Sequence, residues 1–198
     1  GFSFQKARFV SDHLDTLGSM RDLARVFVIL KKYTEAEAVY RDALNRLRPA
    51  SSNAPPREIP MLGFILHHLA DVLRERKMLS EARSFAEEAM AVYDRHADWP
   101  ANERQHVFEV LEAVLKDLGN SRELEAVRLK KAEVLRAAAE KDDVDALNRL
   151  ARFLATCSDS AMRDGRSAVD FAEKAVAKTE RKYPQYLDTL AAAYAEAG

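Results

Sequence analysis

The sequence predicts an all-α protein built from antiparallel helical hairpins, and three observations support this prediction. Apolar side chains recur three and four residues apart along most of the 198-residue chain, which is the spacing of one face of a helix. The six prolines fall between these periodic stretches, as expected of a residue that breaks helix interiors. No run of alternating β-branched residues is long enough to propose a sheet.

The first element is a helix predicted over residues 4–17. Gly18 is predicted to end it, and Ser19 is predicted to cap the next helix. An alternative starts the second helix earlier, at Ser11-Asp12. We prefer the break at Gly18.

The hairpin over residues 20–44 sets the pattern for the rest of the chain. Its polar join, Lys31-Lys32, is very short, and short joins favour antiparallel neighbours. Ala24 and Ala36 are predicted at the crossing, because larger side chains would hold the two helix axes apart. The residues predicted on the apolar faces are Met20, Leu23, Ala24 and Phe27 in the first helix and Tyr33, Ala36, Tyr40, Ala43 and Leu44 in the second.

The same hairpin recurs when the chain is aligned by its crossing residues. The crossing pairs are Ala24 with Ala36, Ala70 with Ala82, Glu112 with Leu124, and Ala151 with Ala168. The first three pairs are twelve residues apart, and the fourth has five extra residues in the polar loop 158–166. A fifth first helix is centred on Ala191. Because Glu112 and Leu124 are large, we expect wider helix separation in the third hairpin.

Junctions between the helices are marked by proline, glycine and charge. A long loop is predicted over residues 48–60, Asp98 is a candidate N-cap before Pro100, and Pro184 opens the last helix. The charged run 141–143 forms the remaining junction. The helices are predicted near 20–31, 34–47, 61–76, 79–95, 101–118, 122–140, 144–156, 166–181 and 185–197, with Gly119 and Gly198 as C-caps.

Over residues 17–198 the sequence resembles the tetratricopeptide repeat (TPR) family, in versions that look bacterial. The residues that carry the resemblance are Leu23, Ala24, Phe27, Ala36, Tyr40, Ala43 and Pro49, and then Ala168, Ala172, Ala175, Pro184, Leu187, Leu190, Ala191, Tyr194 and Gly198. The resemblance implies a right-handed superhelical α-solenoid of about ten helices. It implies one array over 1–198, with a partial helix at 1–17, hairpins at 18–50, 60–97, 100–140 and 143–182, and a truncated last repeat at 184–198.

The resemblance also implies that first helices line an inner groove that binds a partner segment. The partner-binding residues predicted in this way are Arg21, Arg25, His67, Asp71, Arg74, Asn148 and Arg152. Arginine, histidine and asparagine can bind carboxylates or peptide backbone, and an ordinary solvated helix face is the alternative. Family members that grip a C-terminal carboxylate pair Asn with Lys on successive first helices, and only Asn148 matches, so we do not predict that clamp.

No catalytic, metal or cofactor site is predicted. His67 and Asp71 share a helical face and could hold a metal ion, but a third ligand is missing. Cys157 is interpreted as a small residue at a helix end rather than a nucleophile. Trp99 is interpreted as an anchor for the third hairpin. Glycine-rich phosphate loops are absent from the sequence.

Composition excludes several classes of partner. With 31 basic and 32 acidic residues, the chain has no net field that would attract nucleic acid or an anionic membrane. No stretch reaches the roughly 18 apolar residues needed to span a bilayer. The single cysteine cannot form an intrachain disulfide and fits a reducing, cytoplasmic location. The chain opens at Gly1, which suggests a segment excised from a longer protein.

The predicted function is a non-catalytic scaffold that binds a protein or peptide in its concave groove, cut from a larger bacterial protein. The alternative is a regulatory or scaffolding domain of a larger enzyme, such as a bacterial protein kinase. A homodimer through the C-terminal helix is also expected. Its apolar stripe of Leu187, Leu190, Ala191 and Tyr194 has no second helix to cover it.

Overall fold

The chain is an all-α repeat fold, as predicted. The structure, a computed structural model, describes residues 2–47, 59–95 and 101–198, and it describes side chains over 14–47, 59–95 and 104–198. The helices are α1 (Phe2–Ile29), α2 (Tyr33–Leu47), α3 (Ile59–Glu75), α4 (Leu79–Arg95), α5 (Ala101–Asp117), α6 (Ser121–Ala139), α7 (Val144–Thr156), α8 (Gly165–Lys178) and α9 (Pro184–Ala197), with a 3₁₀ turn at Ser160–Met162. No strand occurs within those ranges.

The predicted break at Gly18 is wrong. The first helix runs without interruption from Phe2 to Ile29. The Ser19 hydroxyl donates a hydrogen bond back to the Asp15 carbonyl, at 3.0 Å, so it is used inside the helix and does not cap a new one. The expected loop 48–60 and the Asp98 cap lie mainly outside the described residues, although α3 already begins at Ile59.

Three hairpin turns share one backbone geometry. The first residue of each turn to leave the helical conformation has a positive φ: 57° at Lys31, 63° at Lys77 and 70° at Gly119. The amide that follows bonds back across the turn, from Lys32 to Phe27, from Met78 to Leu73, and from Asn120 to Leu115, at 2.8–2.9 Å. This is the Schellman motif, which satisfies carbonyls that the helix end leaves unpaired.

The small residues at the predicted crossings are fully buried. Ala24, Ala36, Ala70 and Ala82 each have 0% exposure, which confirms that the helices approach closely there. The equivalent Glu112 and Leu124 are only half-buried. Leu23, predicted on the first apolar face, is instead 47% exposed.

The chain divides into two compact units, residues 1–124 and 125–198, and each is described by itself. In the first unit α2 packs on α1 and α3, and α4 packs on α3 and α5. Arginines on second helices bond the acidic first turn of the next second helix, as Arg41 does with Glu81 and Arg83 with Glu123.

In the second unit α7, α8 and α9 pack on one another. Asp143 caps α7 by accepting from the Ala146 amide at 2.8 Å. Asp164 caps α8 through the amide and hydroxyl of Ser167. Both caps satisfy amides at a helix start. Pro184 is at the start of α9, as predicted.

The last helix packs on α8 as predicted, but through a different face. Tyr186, Thr189 and Ala193 are buried, and the Tyr186 hydroxyl donates to Asp145 at 2.6 Å. Exposed side chains recur four and three residues apart on the opposite side of the helix. We call them the α9 outer face: Tyr183, Leu187, Ala191 and Tyr194.

Candidate partner-binding cleft

In the first unit, α3 and α5 form a cleft of about 260 Å³. On α3, His67, Asp71 and Arg74 are four and three residues apart, so the helix places them on one side. All three were predicted as partner-binding residues. The lining side chains are His67, His68, Asp71, Arg74, His106, Glu109, Val110 and Ala113.

His67 forms the buried floor of the cleft, with 1% exposure. Its Nδ1–H donates to the Gly63 carbonyl at 2.9 Å, because a carbonyl can only accept. Burial lowers the pKa of His67 to about 4, although the bond to Gly63 raises it. The ring is therefore neutral at pH 7. Its other nitrogen, Nε2, is an acceptor that is buried without a hydrogen-bond partner.

His68 is also neutral at pH 7. Burial lowers its pKa to about 3, and the nearby His67, His106 and Arg25 lower it further. Its ring centroid lies 4.1 Å from that of Phe64 and 4.3 Å from that of His67. At these separations the imidazole packs as an aromatic ring rather than as a cation.

Five rings make a continuous series across the first unit, which we call the ring ladder. It consists of Tyr40 on α2, Phe64, His67 and His68 on α3, and His106 on α5. The outer pairs, Tyr40 with His68 and His67 with His106, are nearly parallel with centroids 6.0 Å apart. Tyr40 is fully buried, and burial raises its pKa to about 12.

Arg74 is held by carboxylates at the mouth of the cleft. Its guanidinium lies 3.4 Å from Asp71, 2.6 Å from Glu75 and 3.4 Å from Asp117. Partial burial lowers the pKa of Arg74, but the three carboxylates outweigh it and the pKa is raised above its usual value. One cation is thus shared among three anions, which leaves this part of the surface negative.

The two α1 arginines lie beside the ring ladder and outside the cleft lining. The Arg21 guanidinium is 5.7 Å from the Phe64 ring centroid, a cation–π distance. It also donates to Asp22 at 2.9 Å, which lowers the pKa of that carboxyl. Arg25 is exposed one turn further along.

The remaining predicted site residues belong to the second unit. On α7, Asn148 is half-buried and its Oδ1 has no hydrogen-bond partner. Arg152 is exposed on the next turn of the same helix. The structure therefore places the predicted residues in two separate groups, five in the first unit and two in the second.

Sequence reasoning missed His106. It had identified Glu109 as facing the groove, and His106 lies three residues earlier, on the same face of α5. Extending the groove positions by one turn in each direction would have found it. His106 Nδ1 is 3.5 Å from the Glu109 carboxylate.

The described side chains give no sign of metal or thiol chemistry. Within them, no three His, Cys, Asp or Glu residues are placed to hold a metal ion. Cys157 is the C-cap residue of α7 and is buried, as the sequence interpretation expected. Of the helices in the described ranges, none is long and apolar enough to cross a membrane.

Comparison with protein families identifies the hairpins that form the cleft. Residues 16–48 and 65–97 match the tetratricopeptide repeat model. These two segments are tetratricopeptide repeats. The first repeat consists of the second half of α1 with α2, and the second consists of most of α3 with α4. Since such repeats are protein-interaction modules, the chain has the framework of a protein-binding scaffold.

Solved structures support the same fold. BtubC (BKLC) from P. vanneervenii is 18% identical with a TM-score of 0.60, over 98% of this chain and 80% of that one. A variant of a Podosopora anserina protein, named for kinesin light chain and nearly identical TPR-like repeats, is 18% identical with a TM-score of 0.56, over 94% of this chain and 88% of that one. No curated protein sequence matches the chain.

Proposed function

We propose that the chain is a non-catalytic scaffold whose first unit binds an extended segment of a partner protein along α1, α3 and α5. The observation that supports this most is the cleft itself. Its Asp71 and Glu109 side chains are 40% and 53% exposed above a buried imidazole floor. Polar groups on a rigid helical framework are suited to selecting a partner.

The proposed contact residues in the first unit are Arg21, Arg25, His67, Asp71 and Arg74. Asn148 and Arg152 form a second, separate contact group on α7. Most of these side chains lie at the surface, and only His67 belongs to the buried core. A cytoplasmic location belongs to the same proposal and is supported by the free thiol of Cys157.

A partner captured from the source cell allows a direct test. We expect Arg25→Glu and Arg152→Glu each to weaken the complex at least fivefold with an unchanged melting temperature, because both side chains are exposed. Arg46→Glu is the control, since Arg46 lies on α2 and pairs only with Asp42 among the contacts described. Unaltered affinity in both groove variants, or equal weakening in the control, would contradict this proposal.

We also propose that a second copy of the chain covers the α9 outer face. On α7 the equivalent residues Leu147, Ala151 and Leu154 are buried. On α9 Leu187 is 38% and Tyr194 51% exposed. A two-fold, antiparallel pairing centred near Leu190 would place each Leu187 against the partner's Tyr194.

The proposed pairing is weak, because a single helix face falls short of the roughly 1,200–2,000 Å² that stable complexes bury. We expect light scattering to show mass rising with concentration, and Leu187→Lys to abolish the rise. Asp188→Lys, on the neighbouring exposed position, is the control for added charge. A monomer at every concentration would rule out the pairing.

A further inference from the structure

We propose that the α3–α5 cleft receives a cationic side chain, lysine or arginine, from the bound partner segment. This inference rests on the proposed function and specifies the chemistry of its central contact. It reverses the sequence expectation that arginine and histidine at these positions would attract a carboxylate.

The first argument is the balance of charge. Asp71 and Glu109, on successive first helices, both line the cleft. The only arginine in the lining, Arg74, is already bonded to Asp71 and to the neighbouring carboxylates of Glu75 and Asp117. Four carboxylates therefore surround one guanidinium, and an arriving cation is attracted while an arriving anion is repelled.

The second argument is independent of the acidic residues. His67 is almost entirely buried, at 1% exposure, and it lines the cleft. Its Nδ1 carries the proton because it donates to the Gly63 carbonyl. Nε2, at the far end of the ring, is therefore a bare acceptor without a partner. A buried acceptor of this kind is satisfied by an N–H donor and not by a carboxylate.

The histidines cannot supply the missing positive charge near pH 7. Burial keeps His67 and His68 in their neutral forms. The third imidazole, His106, lies beside Glu109 with 63% of its side chain exposed. Because His106 is at the surface and its ring lies parallel to that of His67, rotation of His106 gives a ligand access to Nε2. The floor thus offers neutral ring faces and one acceptor, which suits an ammonium or guanidinium group.

The test uses three short peptides and the intact chain. N-acetyl-Gly-Lys-Gly-amide, its arginine twin and its glutamate twin are titrated separately, and the ring Hε1 resonances of His67, His68 and His106 are followed by NMR. We expect saturable shifts with the lysine and arginine peptides and none with the glutamate peptide at the same concentration. Raising the salt from about 0.05 to about 0.5 M should weaken the binding, because the contact is electrostatic.

Two variants identify the residues responsible. Asp71→Asn with Glu109→Gln should raise the apparent Kd for the lysine peptide at least tenfold, and His67→Phe should raise it severalfold while keeping a ring in the ladder. Asp42→Asn is the matched control, since Asp42 is an exposed carboxylate on α2. Melting temperature and near-UV circular dichroism verify that each variant is folded.

Three results would overturn the inference: shifts with the glutamate peptide of equal size, lysine binding unchanged in the double variant, or no shift with any peptide. The proposed function is tested separately by the captured partner. If that partner binds the double variant as tightly as the wild type but is weakened by Arg25→Glu, the groove function stands and the cation site does not.

Discussion

Gly165 at the start of α8 lies against the backbone of Ala197 at the end of α9. A Cβ placed on Gly165 would come within 2.5 Å of the Ala197 amide nitrogen. The approach is held on both sides, by Arg163 with Glu196 at 3.1 Å and by the Tyr194 hydroxyl with Glu173 at 2.6 Å. The closure of the last helix onto the second unit thus depends on the absence of a side chain at residue 165.

Gly165→Ala should destabilise the second unit. The new methyl group would meet backbone, which cannot rotate away, and overpacking of this kind costs about 1–3 kcal/mol. Urea unfolding followed by circular dichroism measures the loss. Gly18→Ala is the control, because its Cβ would meet nothing within 4 Å and alanine is favoured over glycine inside a helix by roughly 0.5–1 kcal/mol. Equal stability of the two variants would contradict the close contact.

Acid should destabilise the first unit through its buried histidines. The pKa of His67 is about 4 in the folded chain and about 6.5 when unfolded. The unfolded chain therefore binds the proton first, and stability is complete above pH 6.5 and is lost as the pH falls towards 4. For His67 the full loss is on the order of 3 kcal/mol. Unfolding free energies measured from about pH 7.5 to about pH 4 give the slope.

Replacement of the buried ring identifies the source of this pH dependence. His67→Phe should flatten the slope between pH 6.5 and 4, whereas the same change at the exposed His106 should leave it almost unchanged. A slope that is the same in all three proteins would assign the acid sensitivity to other groups.

The hairpin turns predict opposite effects of glycine at equivalent positions. Lys77 has a φ of 63° and Gly119 a φ of 70°, a region that costs residues other than glycine roughly 1–2 kcal/mol. Lys77→Gly should therefore raise the melting temperature, and Gly119→Ala should lower it. Differential scanning calorimetry compares them. A loss of stability in Lys77→Gly would mean that the lysine side chain makes a compensating contact.

Enlarging the crossing residues should destabilise the first unit. Ala24→Leu and Ala70→Leu each add bulk where exposure is 0%, at a cost of about 1–3 kcal/mol. Ala38→Leu, on the exposed side of α2, is the control. Wild-type unfolding midpoints in both crossing variants would show that the helices can separate there without loss.

The features that follow from local chemistry were predictable. The twelve-residue spacing from Ala24 to Ala36 fixes a short turn, and a short turn forces antiparallel helices. The error at Gly18 has the opposite origin, since a glycine with a following serine can end a helix or lie within one. The choice depends on what the rest of α1 contacts, and the spacing of residues does not contain that information.

The sign of the candidate site could not be predicted either. The sequence shows Arg74 as an available cation, whereas in the fold Asp117, forty-three residues later, helps to neutralise it. His67 likewise appears as a potential cation until its burial is known. Charge and protonation depend on tertiary neighbours, so the residues of the cleft were found but the kind of ligand they favour was not.

The ring ladder has a consequence for how the first unit comes apart. Hairpins in a repeat array contact only their neighbours, so such arrays can fray from one end, a repeat at a time. Here Tyr40, His68, Phe64, His67 and His106 connect α2, α3 and α5 through successive ring contacts. Stronger coupling between neighbouring hairpins makes partly open forms rarer. The amide protons of these three helices should therefore exchange with solvent as one cooperative group, with a single free energy of opening.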